Sequence, residues 1–101
     1  MGTRKKGFAL ITGAAGGLGS AFSLEAARQG WGLVLVDLPG CGLRETGRKL
    51  ARAYRVEAHS FEMDLVDGCE RRRLAQWIGD QMIEVDLLIN TAPMGPSRFP
   101  W

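Results

Sequence analysis

Several things are scarce in this sequence, and each shortage removes a class of protein. Its 101 residues hold two cysteines, Cys41 and Cys69, in no C-x-x-C or Cys/His spacing, so neither a disulfide framework nor a zinc site is expected. That usage suits a reducing, cytoplasmic setting. No apolar run approaches the roughly 18 residues of a membrane span, and Phe8 to Thr12 is too short for a signal-peptide core. Charge of one sign is also lacking: thirteen Lys and Arg face eleven Asp and Glu, a formal net charge of +2. No nucleic-acid partner follows from that balance. The two basic clusters, Arg4-Lys5-Lys6 and Arg71-Arg72-Arg73, have no interleaved aromatics and read as a solvated N-terminus and a solvated helix face. The lone histidine, His59, reads as a structural or exposed strand residue, so no metal site is expected.

What is present suits one soluble α/β domain. Hydrophobic residues make up 46% and charged residues 24%, an ordinary globular balance. Short apolar runs at Phe8–Ile11, Leu33–Val36 and Val85–Ile89 read as strands of a parallel sheet buried on both faces. Glu57–Met63 alternates polar and apolar residues, as an edge strand with one packed face does. Between the strands, 18–29 carries Leu18, Ala21, Phe22 and Ala26 at helical spacing and stops at Gly30. A second helix over 43–54 places Leu43, Leu50, Ala51 and Tyr54 on one face, with a Glu45–Lys49 pair and a weakening Gly47. A third starts from Asp67 and Glu70, spaced as a capping box, with Leu74, Trp77, Ile78 and Met82 as its apolar stripe. The order β-α-β-α-β-α-β, closed by right-handed crossovers, gives strand order 3-2-1-4. This is half of a doubly wound, Rossmann-type α/β fold. It is expected over residues 1–92, with an irregular tail over 93–101 that holds Pro93, Pro96 and Pro100.

The chemistry is concentrated directly after the first strand, in Thr12-Gly13-Ala14-Ala15-Gly16-Gly17-Leu18-Gly19. Glycines here permit a tight turn, close approach of backbone to a pyrophosphate, and close packing of helix on strand. The positive end of the following helix then meets the phosphates through unpaired N–H groups. Strand before and helix after supply the context that the bare glycine spacing needs. Asp37 closes the second strand, eighteen positions after Gly19. There a carboxylate accepts hydrogen bonds from the adenosine ribose and repels a 2′-phosphate, which favours NAD over NADP. An Asp that merely opens the turn before Pro39-Gly40 is the plainer alternative.

Together these residues resemble the short-chain dehydrogenase/reductase family, whose T-G-x-x-x-G-x-G signature runs here from Thr12 to Gly19. The resemblance implies that Gly13, Gly16, Gly17, Leu18 and Gly19 hold the cofactor. It also makes Asp64 and Leu65 the family's adenine-contacting Asp and its neighbour, and Asn90 the end of the fourth strand, followed by Ala92. Asp64 as a turn residue and Asn90 as a structural one stay open. Where the family has N-N-A-G, this chain has Asn90-Thr91-Ala92-Pro93; Pro93 removes a backbone donor and fixes φ.

The resemblance also implies hydride transfer assisted by a Ser and a Tyr-x-x-x-Lys pair, but the single tyrosine, Tyr54, is followed four positions on by Ala58. No catalytic residue is assigned. Two readings follow: the NAD-binding part of an oxidoreductase whose catalytic half is absent from this truncated chain, or a non-catalytic NAD-binding module working in an oligomer or hetero-complex. A fourth strand apolar on both faces would form a naked edge and a route to self-association.

Overall fold

A computed structural model of the chain describes residues 7–91. Four parallel strands, β1 (Phe8–Thr12), β2 (Gly32–Asp37), β3 (Ala58–Glu62) and β4 (Val85–Asn90), form one sheet in the order β3-β2-β1-β4. Helices α1 (Gly17–Arg28), α2 (Leu43–Tyr54) and α3 (Gly68–Asp80) make the crossovers. The architecture is the expected Rossmann-type half. The tail from Pro93, the N-terminal Arg4-Lys5-Lys6 cluster and Ala92 lie outside the described residues.

Alternation along the central strands sorts side chains onto two faces. Ala9, Ile11, Leu33 and Leu35 turn towards α1 and α2, where Ala14, Ala26, Ala27, Leu43 and Leu50 complete a buried cluster. Val34 and Val36 turn the other way, against Leu65 and Leu74, with Phe8, Leu10, Phe61, Met63, Trp77 and Ile78 partly buried around them. Among the described residues α3 is the one helix over that second face.

Two helix faces differ from the periodic pattern. In α1 the buried residues are Gly19, Ser23, Ala26 and Ala27, whereas Leu18 and Phe22 are 64% and 40% exposed and Ala21 is exposed too. The cause is close packing: a Cβ on Gly19 would stand 1.9 Å from the Gly13 carbonyl oxygen, so only small residues fit the line facing the sheet. Ser23 tolerates burial there by donating its hydroxyl to the Gly19 carbonyl at 2.8 Å. In α2, Leu43, Gly47 and Leu50 are buried, but Tyr54 is exposed and Glu45 and Lys49 form no ion pair. Gly47 has a positive reason to be glycine, since a Cβ there would meet the Ser60 hydroxyl at 2.4 Å.

The start of α3 is capped, though not by the reciprocal box. Asp67 accepts from the Cys69 amide at 2.8 Å, but its own N–H is already donated to the Asp64 carbonyl. Glu70 therefore accepts from the Asp64 amide instead, at 3.2 Å. Met82 is not part of the apolar stripe: it lies beyond α3 with φ +54° and is 88% exposed. The expected single packed face of β3 is also revised, because all five of its residues are half-buried, covered on one side by α2 and on the other by α3.

Each of the three helices is followed by a residue in the left-handed region. Gly30 donates to the Ala27 carbonyl and Trp31 to Ala26, with Gly30 at φ +91°, the Schellman arrangement. The matching left-handed positions after α2 and α3 are Arg55 and Met82. On the last turn of α1, Glu25 is held below the ordinary carboxylate range by the Gln29 side-chain amide and the Arg28 guanidinium that donate to it.

Candidate nucleotide site

The carboxyl ends of β1, β2 and β4 meet on one rim of the sheet, and the glycine-rich loop crosses it. Gly13 takes φ +68°, a turn that sends the chain from β1 back towards α1. Ala14 then donates to the Val36 carbonyl at 3.1 Å and Ala15 to Asp37 Oδ2 at 2.8 Å. The second Asp37 oxygen accepts from the Leu38 amide at 2.7 Å. Asp37 thus ties the loop to the end of β2 while remaining partly exposed.

At the start of α1 the backbone is open. Gly16 is the N-cap with no side-chain hydrogen bond, no acidic residue stands in the first turn, and a Cβ on Gly17 would meet nothing within 4 Å. A helix beginning this way leaves N–H donors and the positive dipole end facing outward, with space for an oxyanion to approach. The Gly13, Gly16, Gly17 and Gly19 positions differ: a left-handed turn at Gly13, close contact with the Gly13–Ala14 backbone at Gly19, and clearance at Gly16 and Gly17. The Leu18 side chain is exposed.

The third side of the rim comes from β4. Thr12, 1% exposed, donates its hydroxyl to Asn90 Oδ1. Thr91, where the family pattern has a second Asn, donates its hydroxyl to the Thr12 carbonyl at 2.7 Å and to Gly13 at 3.3 Å, and its amide to Thr12 at 3.2 Å. Neither Thr91 nor Ala15 was singled out by sequence. Their signal is positional: each is the residue that bonds back to an adjacent strand end. Asp64 lies exposed beyond β3, where Oδ1 accepts from the Val66 amide at 3.0 Å, the turn geometry left open above. The Leu65 side chain packs into the core beside Val34, Val36 and Leu74.

The remaining candidates have structural surroundings. His59 sits edge-on to Trp77 at 4.8 Å between ring centroids and bonds Glu57. Arg71 donates to the Leu65 and Val66 carbonyls, while Arg72 and Arg73 are exposed. Among the described residues no cluster of three or more His, Cys, Asp or Glu could hold a metal, and no helix is long and apolar enough to cross a membrane.

A parallel sheet of order 3-2-1-4 with a glycine turn at the end of β1, a helix start without a side-chain cap and an acidic residue closing β2 is a Rossmann-type α/β arrangement. Sequence comparison identifies the lineage: the family described as short chain dehydrogenase matches residues 7–100, and the chain belongs to it. Among its relatives is 1-deoxy-11-beta-hydroxypentalenate dehydrogenase of Streptomyces arenae, 38% identical over 94 residues, covering 91% of this chain and 33% of the relative. A short-chain dehydrogenase from Sphingobium yanoikuyae, solved in complex with NADPH, superposes with a TM-score of 0.77 at 27% identity, covering 91% of this chain and 36% of that one. L-sorbose reductase of Gluconobacter frateurii, solved with NADPH and L-sorbose, shares the fold at a TM-score of 0.81 and 24% identity, over 95% of this chain and 36% of its own. The chain thus spans about a third of the length of these relatives.

Proposed function

We propose that this chain is the NAD(H)-binding portion of a short-chain dehydrogenase/reductase-like oxidoreductase. The observation that carries the proposal is Asp37, a partly exposed carboxylate fixed beside the glycine loop by the Ala15 amide. The residues fit the cofactor: Gly16 and Gly17 leave the helix end clear, and Gly13, Leu18 and Gly19 shape the backbone that would receive the pyrophosphate. Asp37 would hold the adenosine ribose, Asp64 and Leu65 would border the adenine, and Asn90 with Ala92 would border the nicotinamide-side ribose. When bound, NAD(H) accepts or supplies the hydride.

The chain's own residues bind and orient. No Tyr-x-x-x-Lys pair stands among these 101 residues, and no acid/base role is assigned to any of them. NAD is favoured over NADP because a 2′-phosphate beside Asp37 meets like charge, and Leu38 and Gly16 offer no cation to offset it. The NADPH found in two of the solved relatives is the contrast the experiment addresses. A cytoplasmic location completes this reading. A second reading, a non-catalytic NAD-binding module in an assembly, draws support from Leu88 on β4, 47% exposed, and from Leu18 and Phe22 on α1. These would seat a second chain against the β4 edge.

Calorimetric titration of the Met1–Trp101 chain with NAD⁺ and with NADP⁺ tests the proposal. NAD⁺ is expected to bind at least about tenfold more tightly, and Asp37→Ala to narrow that ratio. Equal affinities, or an unchanged ratio in Asp37→Ala, would overturn the selectivity. No binding to a chain shown folded by circular dichroism would overturn cofactor binding itself.

A further inference from the structure

Away from the nucleotide rim, an open cavity of about 170 Å³ runs between α2 and β3, lined by Arg44, Gly47, Arg48, Ala51, Ala58 and Ser60. Four small residues and two arginines make up this lining. Arg44 and Arg48 are exposed and have no acidic partner among the described residues. The rest of α2 adds Lys49 and Arg52 against a single acid, Glu45. Of the nearby acids, Glu57, just before β3, is bonded to His59, and Glu62 at its end accepts from the Gly40 amide.

β3 is also one of the two edge strands of the sheet formed by the described residues. Leu33 donates to the Glu57 carbonyl and Met63 donates to Asp37, so the odd-numbered residues of β3 address β2. By the alternation of a parallel ladder, the amides and carbonyls of Ala58, Ser60 and Glu62 face outward. Two of those residues, Ala58 and Ser60, are the ones whose side chains line the cavity. Unpaired backbone and unpaired cations therefore lie side by side along one groove.

We infer that this groove binds an extended acidic peptide, which adds to the sheet as a strand beside β3 and directs carboxylates at Arg44 and Arg48. Spacing supports the match. Alternate residues of a strand recur every ~6.8 Å, and residues four apart on a helix are separated by ~6 Å along its axis, so acidic side chains at every second position keep step with the two arginines. Carboxylate–guanidinium pairs fix charge and register, and the main chain supplies the ladder bonds. A free phosphate or a nucleic acid would satisfy the arginines but leave the edge amides of Ala58, Ser60 and Glu62 without acceptors in register.

The test uses the ¹⁵N-labelled Met1–Trp101 chain and a blocked peptide that alternates glutamate with valine. Saturable binding is expected, with amide exchange at Ala58, Ser60 and Glu62 slowed at least about tenfold. The double variant Arg44→Glu/Arg48→Glu, with its circular dichroism unchanged, should weaken binding by at least about tenfold, and Arg48→Gln should weaken it by less. A lysine-for-glutamate peptide that binds equally would overturn the proposal, as would absence of saturable binding. Inorganic phosphate or an RNA oligonucleotide displacing the peptide while edge exchange stays fast would reduce the groove to a simple anion site. Protection of the edge that rises with protein concentration and without peptide would assign it to a second copy of this chain.

Discussion

The β1–α1–β2 unit and the α3–β4 unit are built from the same kinds of element, yet they are finished to different degrees. In the first, Ile11, Leu33 and Leu35 are fully buried, α1 buries Gly19, Ser23, Ala26 and Ala27, and glycine occupies the left-handed position that ends the helix. In the second, Leu74 is the buried residue of α3, Trp77 and Ile78 are half-covered, Met82 takes the left-handed position, and Leu88 is 47% exposed. The difference teaches where the fold concentrates its order. The unit that carries the glycine loop must hold backbone donors in place, and it is the unit with the tightest packing.

The largest effect should come from deleting core volume on the closed face and comparing it with the open one. Leu35→Ala is expected to cost about 2–5 kcal/mol in urea denaturation, and Leu88→Ala no more than about 0.5 kcal/mol. Similar losses at the two positions would erase the asymmetry. Next is Gly19→Ala, whose added Cβ would press on the Gly13 carbonyl. A cost of about 1–3 kcal/mol follows from forcing helix and loop apart, together with weaker NAD⁺ binding. Loss of binding without loss of stability would instead mean that the loop shifts while the helix stays docked.

The order and type of all seven elements, and the place of the glycine loop, were legible because apolar periodicity and turn chemistry act locally. Which face of α1 is buried was not. Leu18 and Phe22 carry the helical spacing, but the helix turns Gly19, Ser23 and Ala27 to the sheet, since approach distance rather than hydrophobicity decides that contact. The role of Thr91 was hidden for a similar reason. Its hydroxyl serves the Thr12 and Gly13 carbonyls, 79 and 78 residues away in sequence, and no local pattern announces such a bond. Asp37 could be placed from its spacing to Gly19, whereas its bond to Ala15 required the fold.

Thr91 offers a smaller test of how firmly β4 is joined to the better-finished unit. Thr91→Val keeps the shape and removes the hydroxyl that bridges to β1, so a cost of about 1 kcal/mol is expected. Thr91→Ser should restore most of it. If Val and Ser variants are equally stable, the backbone bond from Thr91 to Thr12 is sufficient and the hydroxyl adds nothing.

The smallest effect has the opposite sign. Met82 holds φ +54° with its side chain exposed, while its amide bonds Gly79 and the next amide bonds Ile78. A left-handed conformation costs an L-residue roughly 1–2 kcal/mol, a cost that glycine does not carry. Glycine forfeits part of that advantage through the greater freedom of its unfolded chain. Met82→Gly should therefore stabilise the chain by about 0.5–1 kcal/mol, giving α3 the ending that Gly30 gives α1. A Tm that falls instead would mean that the Met82 side chain packs usefully despite its exposure. The α3–β4 unit would then be looser for want of cover over its sheet face rather than for want of a proper helix end.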